Sequence, residues 1–260
     1  MPGTTQTPSD SRPISSWKPD PGSARVLQMQ RGVRVRPASK EVPSGAEAPL
    51  VIVVDDDEAV RLALVELMES VGLDAVSFGS TSELLEADLT DRPGCLVLEV
   101  RMPGLSGLDL QTHLSSSGDR KPIVFVSGHG DIPMTVQAMK AGAIDFLTKP
   151  VRGQALLDAV KLGIERDIAQ RAMARIARMQ ASRFGTLTAR ERQVMKEVAR
   201  GRLSKQIAFD LGISQITVKV HRANMMRKMQ ATSVGELVRA WEALPVQLRA
   251  GHNHNADHPI

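Results

Sequence analysis

LVIVVDDDEAVRLALVELMES, residues 50–70, decides the fold. Five apolar residues in succession, three aspartates, and then apolar residues at helical spacing describe a buried strand, an acidic turn and an amphipathic helix. The alternation recurs downstream. Strands are predicted at Leu50–Val54, Leu73–Phe78, Cys95–Leu98, Pro122–Val126 and Ala143–Leu147, with helices near 58–70, 81–88, 107–115, 132–141 and from 154 onward. Ser80 and Glu83 have capping-box spacing for the second helix. Strands alternating with helices make an α/β, doubly wound, five-stranded parallel sheet. In such sheets reactive groups gather beyond the carboxyl ends of the strands.

Upstream, residues 1–48 are rich in Pro, Ser, Gly and Thr without a hydrophobic period, and are expected to be a disordered tail. Its Arg31, Arg34 and Arg36 are read as solvated, with contact to DNA or lipid as the alternative. Downstream, Leu157, Val160, Ile164, Ile168, Ala172, Ile176 and Met179 recur every three or four residues, the stripe of one long helix. It is expected to serve as a helical connector over 166–185, its first half packing on the sheet domain or on a second copy.

Residues 187–240 read as an all-helical unit. Thr188 and Glu191 have capping-box spacing at the start of a helix that Gly201 would end. A second helix is predicted over Ser204–Leu211, a turn at Gly212, a third helix capped by Ser214 and running to Met229, and a fourth over Val234–Ala243. A helix, a tight turn and a capped second helix constitute a helix-turn-helix, whose second helix enters the major groove of DNA. Ala208 is small where the two helices cross. Val218, Met225 and Met229 share one face of the third helix and should pack inward. Thr217, Val220, Ala223, Asn224 and Arg227 share another, with Lys219 at its margin, and this face is assigned to DNA. Lys219 and Asn224 suit base edges, whereas Thr217, Arg222 and Arg227 suit phosphates. His221 is read as a partly buried packing residue.

Composition supports this division. The 260 residues are 42% hydrophobic and 24% charged, ordinary values for two small cores. Residues 50–150 hold seven basic against sixteen acidic residues, a balance of −9, and residues 187–240 hold eleven against four, +7. The basic unit suits nucleic acid or an acidic membrane surface, and charge alone does not choose. No apolar run approaches a membrane span and the N-terminus is polar, so a cytoplasmic protein is expected. The single cysteine, Cys95, excludes an internal disulfide and a cysteine-built zinc site, and its neighbours make it a packing residue. Trp17 and Trp241 form no base-stacking set, against single-stranded nucleic acid.

The chemistry collects at the strand ends. Asp55, Asp56 and Asp57 follow the first strand. Clustered carboxylates repel one another unless a cation sits between them, and magnesium is the natural occupant. Asp57 alone reads equally as a helix N-cap. Glu99 closes the third strand, Ser127 the fourth in FVSGHGD (125–131), and Lys149 the fifth in FLTKP (146–150). A carboxylate, a hydroxyl, an ammonium and a metal site are what phosphoryl transfer to a carboxylate requires.

These strings resemble a known family. VVDDDEAVR (53–61), RPGCLVLEVRMPGLSGLDL (92–110), SGHGDIPMTVQAMKAGAIDFLTKP (127–150) and LTARERQVMKEVARG (187–201) are similar to the FixJ/NarL-type response regulators, close to the FixJ and NodW branch. The resemblance implies a CheY-like, flavodoxin-like receiver over 49–165, a linker over 166–185, a four-helix LuxR-type helix-turn-helix domain over 186–245 and a disordered tail over 246–260. It implies a magnesium site of Asp55, Asp56, residue 99 and the Arg101 carbonyl, with Ser127, Phe146 and Lys149 as the phosphate switch and a cis Lys149–Pro150 peptide. Positions matching Lys219, Val220 and Ala223 reach base edges. The implied partners are double-stranded DNA, a sensor histidine kinase and a second copy of the chain. At the phosphoacceptor position this sequence departs, having Glu99 where the family has Asp, so phosphoryl transfer is expected to be very slow or absent, leaving either partial activity independent of phosphorylation or an inert receiver. Two other classes compete: a haloacid-dehalogenase-like phosphatase, which Asp55 and Asp57 suit but Glu58 and Ala59 do not, and a protein-interaction module, against which the +7 balance argues.

Overall fold

The computed structural model describes residues 48–128 and 130–250, and the expectations for residues 1–47 and 251–260 lie outside the described residues. The chain divides into two compact units, Met1–Ile168 and Ala169–Ile260.

The first unit holds β1 (Leu50–Val54), α1 (Glu58–Ser70), β2 (Asp74–Phe78), α2 (Thr81–Glu86), β3 (Gly94–Leu98), α3 (Gly107–Ser117), β4 (Ile123–Ser127), α4 (Ile132–Lys140), β5 (Asp145–Thr148) and the start of α5 (Gly153–Gly185). All pairings are parallel, in the order β2-β1-β3-β4-β5. β1, β3 and β4 are buried along their whole length, as continuous apolar runs require in a sheet covered on both faces. Alternate residues feed two cores: Ile52, Leu98 and Phe125 join the α2, α3 and α4 side, and Val51, Val97 and Val124 join α1 and α5. The strand order reverses between β1 and β3, which puts Asp55 and Glu99 at neighbouring strand ends.

Local details depart from expectation in three places. Ser80 Oγ accepts the Glu83 N–H at 3.1 Å, but the Glu83 carboxylate accepts from Gly79 N–H (2.7 Å) rather than from Ser80, so the reciprocal half of the box is displaced by one residue. β5 starts later, because Ala143 N–H closes the turn after α4 by donating to the Ala138 carbonyl (3.1 Å). Residues Val246–Ala250 form a short helix, α10, where a tail was expected.

α5 runs unbroken through the expected linker. Leu156, Ala159, Val160 and Ile164 pack on the sheet, whereas Ile168, Met173, Ile176 and Met179 are exposed, so only the first part of the stripe is covered within the unit. Asp167 is buried and accepts the Gly94 N–H (2.8 Å) at the start of β3. Beside it Gly163 permits close approach, since a Cβ there would lie 2.7 Å from Cys95 Sγ. Cys95 is buried as expected, which pushes its thiol up to about 12.

In the second unit α6 (Ala189–Ala199), α7 (Ser204–Leu211), α8 (Gln215–Met229) and α9 (Val234–Glu242) enclose a core of Phe184, Val194, Ile207, Val218, Met225 and Leu237. The Thr188–Glu191 capping box is complete, Ser214 caps α8, and Gly201 and Gly212 take the left-handed conformation that ends α6 and α7. Buried Glu191 also accepts from Lys228 Nζ (2.7 Å), tying the start of α6 to the end of α8. Burial pushes that carboxyl up, but the Lys228 bond and the Thr188 backbone amide outweigh it and hold it below its ordinary value.

Candidate phosphate site and nucleic-acid interface

Four strand ends build the acidic cup. Asp55 follows β1, Glu99 follows β3, Ser127 closes β4, and Lys149 follows β5 directly and is joined to Pro150 by a cis peptide. The Lys149 amide donates to the Ser127 carbonyl (2.9 Å), continuing the ladder and aiming the side chain across the sheet end. Its Nζ lies 2.6 Å from Asp55 Oδ2 and 2.9 Å from Glu99 Oε2. Glu99 Oε1 accepts from the Ser127 hydroxyl, from Val100 N–H (2.8 Å) and from Arg101 N–H (3.2 Å). Asp55 Oδ1 accepts the Asp57 N–H (3.0 Å), and Arg61, which sequence reasoning did not single out, donates to the Asp55 carbonyl (2.8 Å).

Two buried carboxylates thus share one ammonium, and they divide it unequally. For Glu99, burial pushes the carboxyl up, but hydrogen bonds from Lys149 and Ser127 outweigh it, and the net shift is downward. For Asp55, burial dominates, the Lys149 bond compensates incompletely, and the carboxyl is raised. Lys149 is opposed by burial yet raised by both partners. Its ammonium is already committed.

Asp56 is exposed beside this pair, and Asp57 caps α1 through bonds from the Ala59 and Val60 amides (2.9 and 3.2 Å). Phe146 is half-buried with its ring 5.9 Å from that of Phe125. Gly130 is needed there, because a Cβ would fall 2.6 Å from the Phe146 ring. Among the described residues no group of three or more acidic, histidine or cysteine side chains converges as a metal cage. The donors still suit magnesium, which commonly takes one or two carboxylates and fills its remaining positions with water. Asp55 and Asp56 are the side chains that would hold it. Glu99, also expected as a ligand, has its oxygens bonded to Lys149, Ser127 and two backbone amides, much as those of Asp55 are bonded to Lys149 and the Asp57 amide.

On the second unit, α8 buries Val218, Met225 and Met229 as expected, and Ala208 is buried on neighbouring α7. Lys219, Val220, Ala223 and Arg227 are exposed, and Thr217, His221, Arg222 and Asn224 are half-buried. Asn224 Oδ1 accepts from Arg227 Nη2 (3.2 Å), and the Thr217 and Ser214 hydroxyls are 2.8 Å apart. Ile216 is 75% exposed on the same helix. Sequence reasoning passed over it, although its place four residues before Val220 was a usable signal.

Comparison with known proteins gives the same division. Residues 51–161 match the response regulator receiver domain, and residues 185–241 match the bacterial regulatory proteins of the luxR family. Nodulation protein W of Bradyrhizobium diazoefficiens is 51% identical over 197 residues, covering 76% of this chain and 87% of its own length. Response regulator protein TodT of Pseudomonas putida is 48% identical over 198 residues, covering 76% and 87%. Among solved structures, the response regulator StyR superposes with a TM-score of 0.66 at 47% identity, covering 75% of this chain and 99% of its own.

Proposed function

The chain belongs to the NarL/FixJ-type response regulators, which join a receiver to a LuxR-type DNA-binding domain, and from that premise we propose a transcription regulator whose receiver works without a phosphoryl group. One observation carries this reading: the carboxylate of Glu99, the residue we assign to the phosphoacceptor position, is bonded to both Ser127 and Lys149. In the resembled receivers those two groups receive phosphate oxygens. Glutamate is one methylene longer than aspartate, and sites of this kind tolerate displacements of only about half an ångström. Its carboxylate therefore satisfies the groups that an incoming phosphoryl would need. Transfer to Glu99 is then very slow or absent, and the receiver is held partly in the active arrangement, with less negative charge than a phosphoryl group would bring. Magnesium at Asp55 and Asp56 would neutralise negative oxygens at the mouth of the cup.

The family is one of transcription regulators rather than enzymes. Duplex DNA is the ligand of the second unit, through Thr217, Lys219, Val220, Arg222, Ala223, Asn224 and Arg227 on α8. A receiver implies a sensor histidine kinase as partner. The proposed active form is a homodimer, since one short helix reads few bases. Ile132, Val136 and Met139 supply an exposed apolar face on α4 for that pairing. The domain limits proposed are 49–165, 166–185 and 186–245. The proposed site of action is the cytoplasm, on the strength of the family; no described helix is long and apolar enough to cross a membrane.

The deciding experiment incubates the chain and its Glu99→Asp variant with magnesium and acetyl phosphate, then measures mass, self-association and DNA affinity. The variant alone should gain one phosphoryl group, and before it does so it should bind DNA more weakly than the parent. Efficient phosphorylation of the parent at Glu99 would overturn the proposal.

A further inference from the structure

The face of α8 turned away from its own core carries three apolar residues in line with Arg227. At about 100° per residue, Ile216, Val220 and Ala223 lie within roughly 60° of one another and on the opposite side from Val218, Met225 and Met229. Ile216 is 75% exposed and Val220 53%. A surface helix that buries one apolar stripe ordinarily shows water a polar one. A second stripe, opposite the first, suits a ligand with apolar projections of its own. The surrounding groups restrict what that ligand is: Arg227 lies along the stripe, Lys219 on one margin, and Asn224 on the other. Cations and an amide bordering methyl and methylene groups complement the major groove, where phosphates flank the base edges and the one apolar projection is the C5 methyl of thymine. From Ile216 to Ala223 the helix rises about 10 Å, the length of roughly three base-pair steps.

We propose that Ile216, Val220 and Ala223 read thymine methyl groups, with Ile216 a specificity-determining residue, so that each half-site contains thymines at positions met by this stripe. The proposal rests on the reading of α8 as the DNA-contacting helix.

The test begins with the full chain selecting bound duplexes from a random-sequence pool. One tight-binding duplex becomes the probe, and its thymines are replaced singly by uracil, which removes the methyl group and leaves the hydrogen-bonding pattern intact. Loss of a contacted methyl should lower affinity roughly fourfold. That loss should largely vanish in Ile216→Ala or Val220→Ala, whose folding is checked by Trp241 fluorescence. Uracil that changes nothing at any position, or that weakens the parent and both variants equally, would overturn the proposal. Failure of the underlying reading looks different, because Lys219→Ala and Arg227→Ala would then leave duplex binding unaltered. Uracil-insensitive binding combined with lost transcription in Ile216→Ala would assign the stripe to a protein partner instead, and the proposal would fall.

Discussion

The acidic cup and the α8 face both carry charge next to apolar residues, but they direct it oppositely. In the cup, Lys149 is bound to Asp55 and Glu99, Glu99 also to Ser127, and the two carboxylates are buried. On α8, Lys219, Arg227 and Val220 are exposed. An ammonium already paired inside the protein has little left to offer a phosphoryl group, whereas exposed cations gain by displacing counterions from DNA. One site is satisfied internally, and the other leaves its cations exposed.

The harshest way to break this contrast is to remove the shared ammonium. Lys149→Met leaves two buried carboxylates without their counter-ion and should destabilise the first unit by about 3 kcal/mol. In urea unfolding the receiver transition, followed by circular dichroism, should shift strongly. In a Trp17→Phe background, Trp241, whose ring centroid lies 6.1 Å from that of Phe184, should report an unchanged transition for the second unit. Equal shifts in both signals would show that the charges are not partitioned as described.

A smaller effect is expected on α8, where each group stands more nearly alone. Arg227→Ala should weaken binding to every duplex and reduce the salt slope by about one. Lys219→Ala or Asn224→Ala should cost about 1 to 3 kcal/mol, mainly at the preferred sequence. Equilibrium titrations on selected and random duplexes at several salt concentrations separate the two behaviours. Salt-independent binding would remove the contrast altogether.

The smallest expected effect sharpens the account of the cup. Glu99 is held below its ordinary value, so its contribution is present above about pH 4 and is lost as pH falls through its lowered folded pKa. Asp55 is raised, so its ionised form costs stability at neutral pH, and acid relieves that cost as pH falls through the raised folded pKa. On acidification from neutrality the receiver should therefore gain slightly and then lose stability. Asp55→Asn should remove the gain, and Glu99→Gln the loss at lower pH. Urea unfolding across the pH series checks both, and an acid limb unchanged in Glu99→Gln would contradict the bonding at Glu99.

Much of this was legible in residue order alone. The run of five apolar residues before Asp55 allowed only a doubly buried strand, and its recurrence specified a parallel sheet whose reactive ends carry Asp55, Glu99, Ser127 and Lys149. Caps such as Ser214 and Thr188 are local devices, and their helices begin where the spacing says. The Ser80–Glu83 spacing predicted the cap but not the partner of the returning carboxylate, because Gly79 and Ser80 offer amides one residue apart.

What the sequence determined was therefore the order of elements and the identity of the groups at the strand ends. These follow from periodicity and composition, which act over a few residues. Only the tertiary structure decided how the groups share one another: that Lys149 serves two carboxylates, that Ser127 is bonded to Glu99, and that Ile216 stands exposed in line with Val220. Lys149 and Asp55 are 94 residues apart in the chain. Their separation and relative pKa depend on packing and desolvation, which no local pattern encodes.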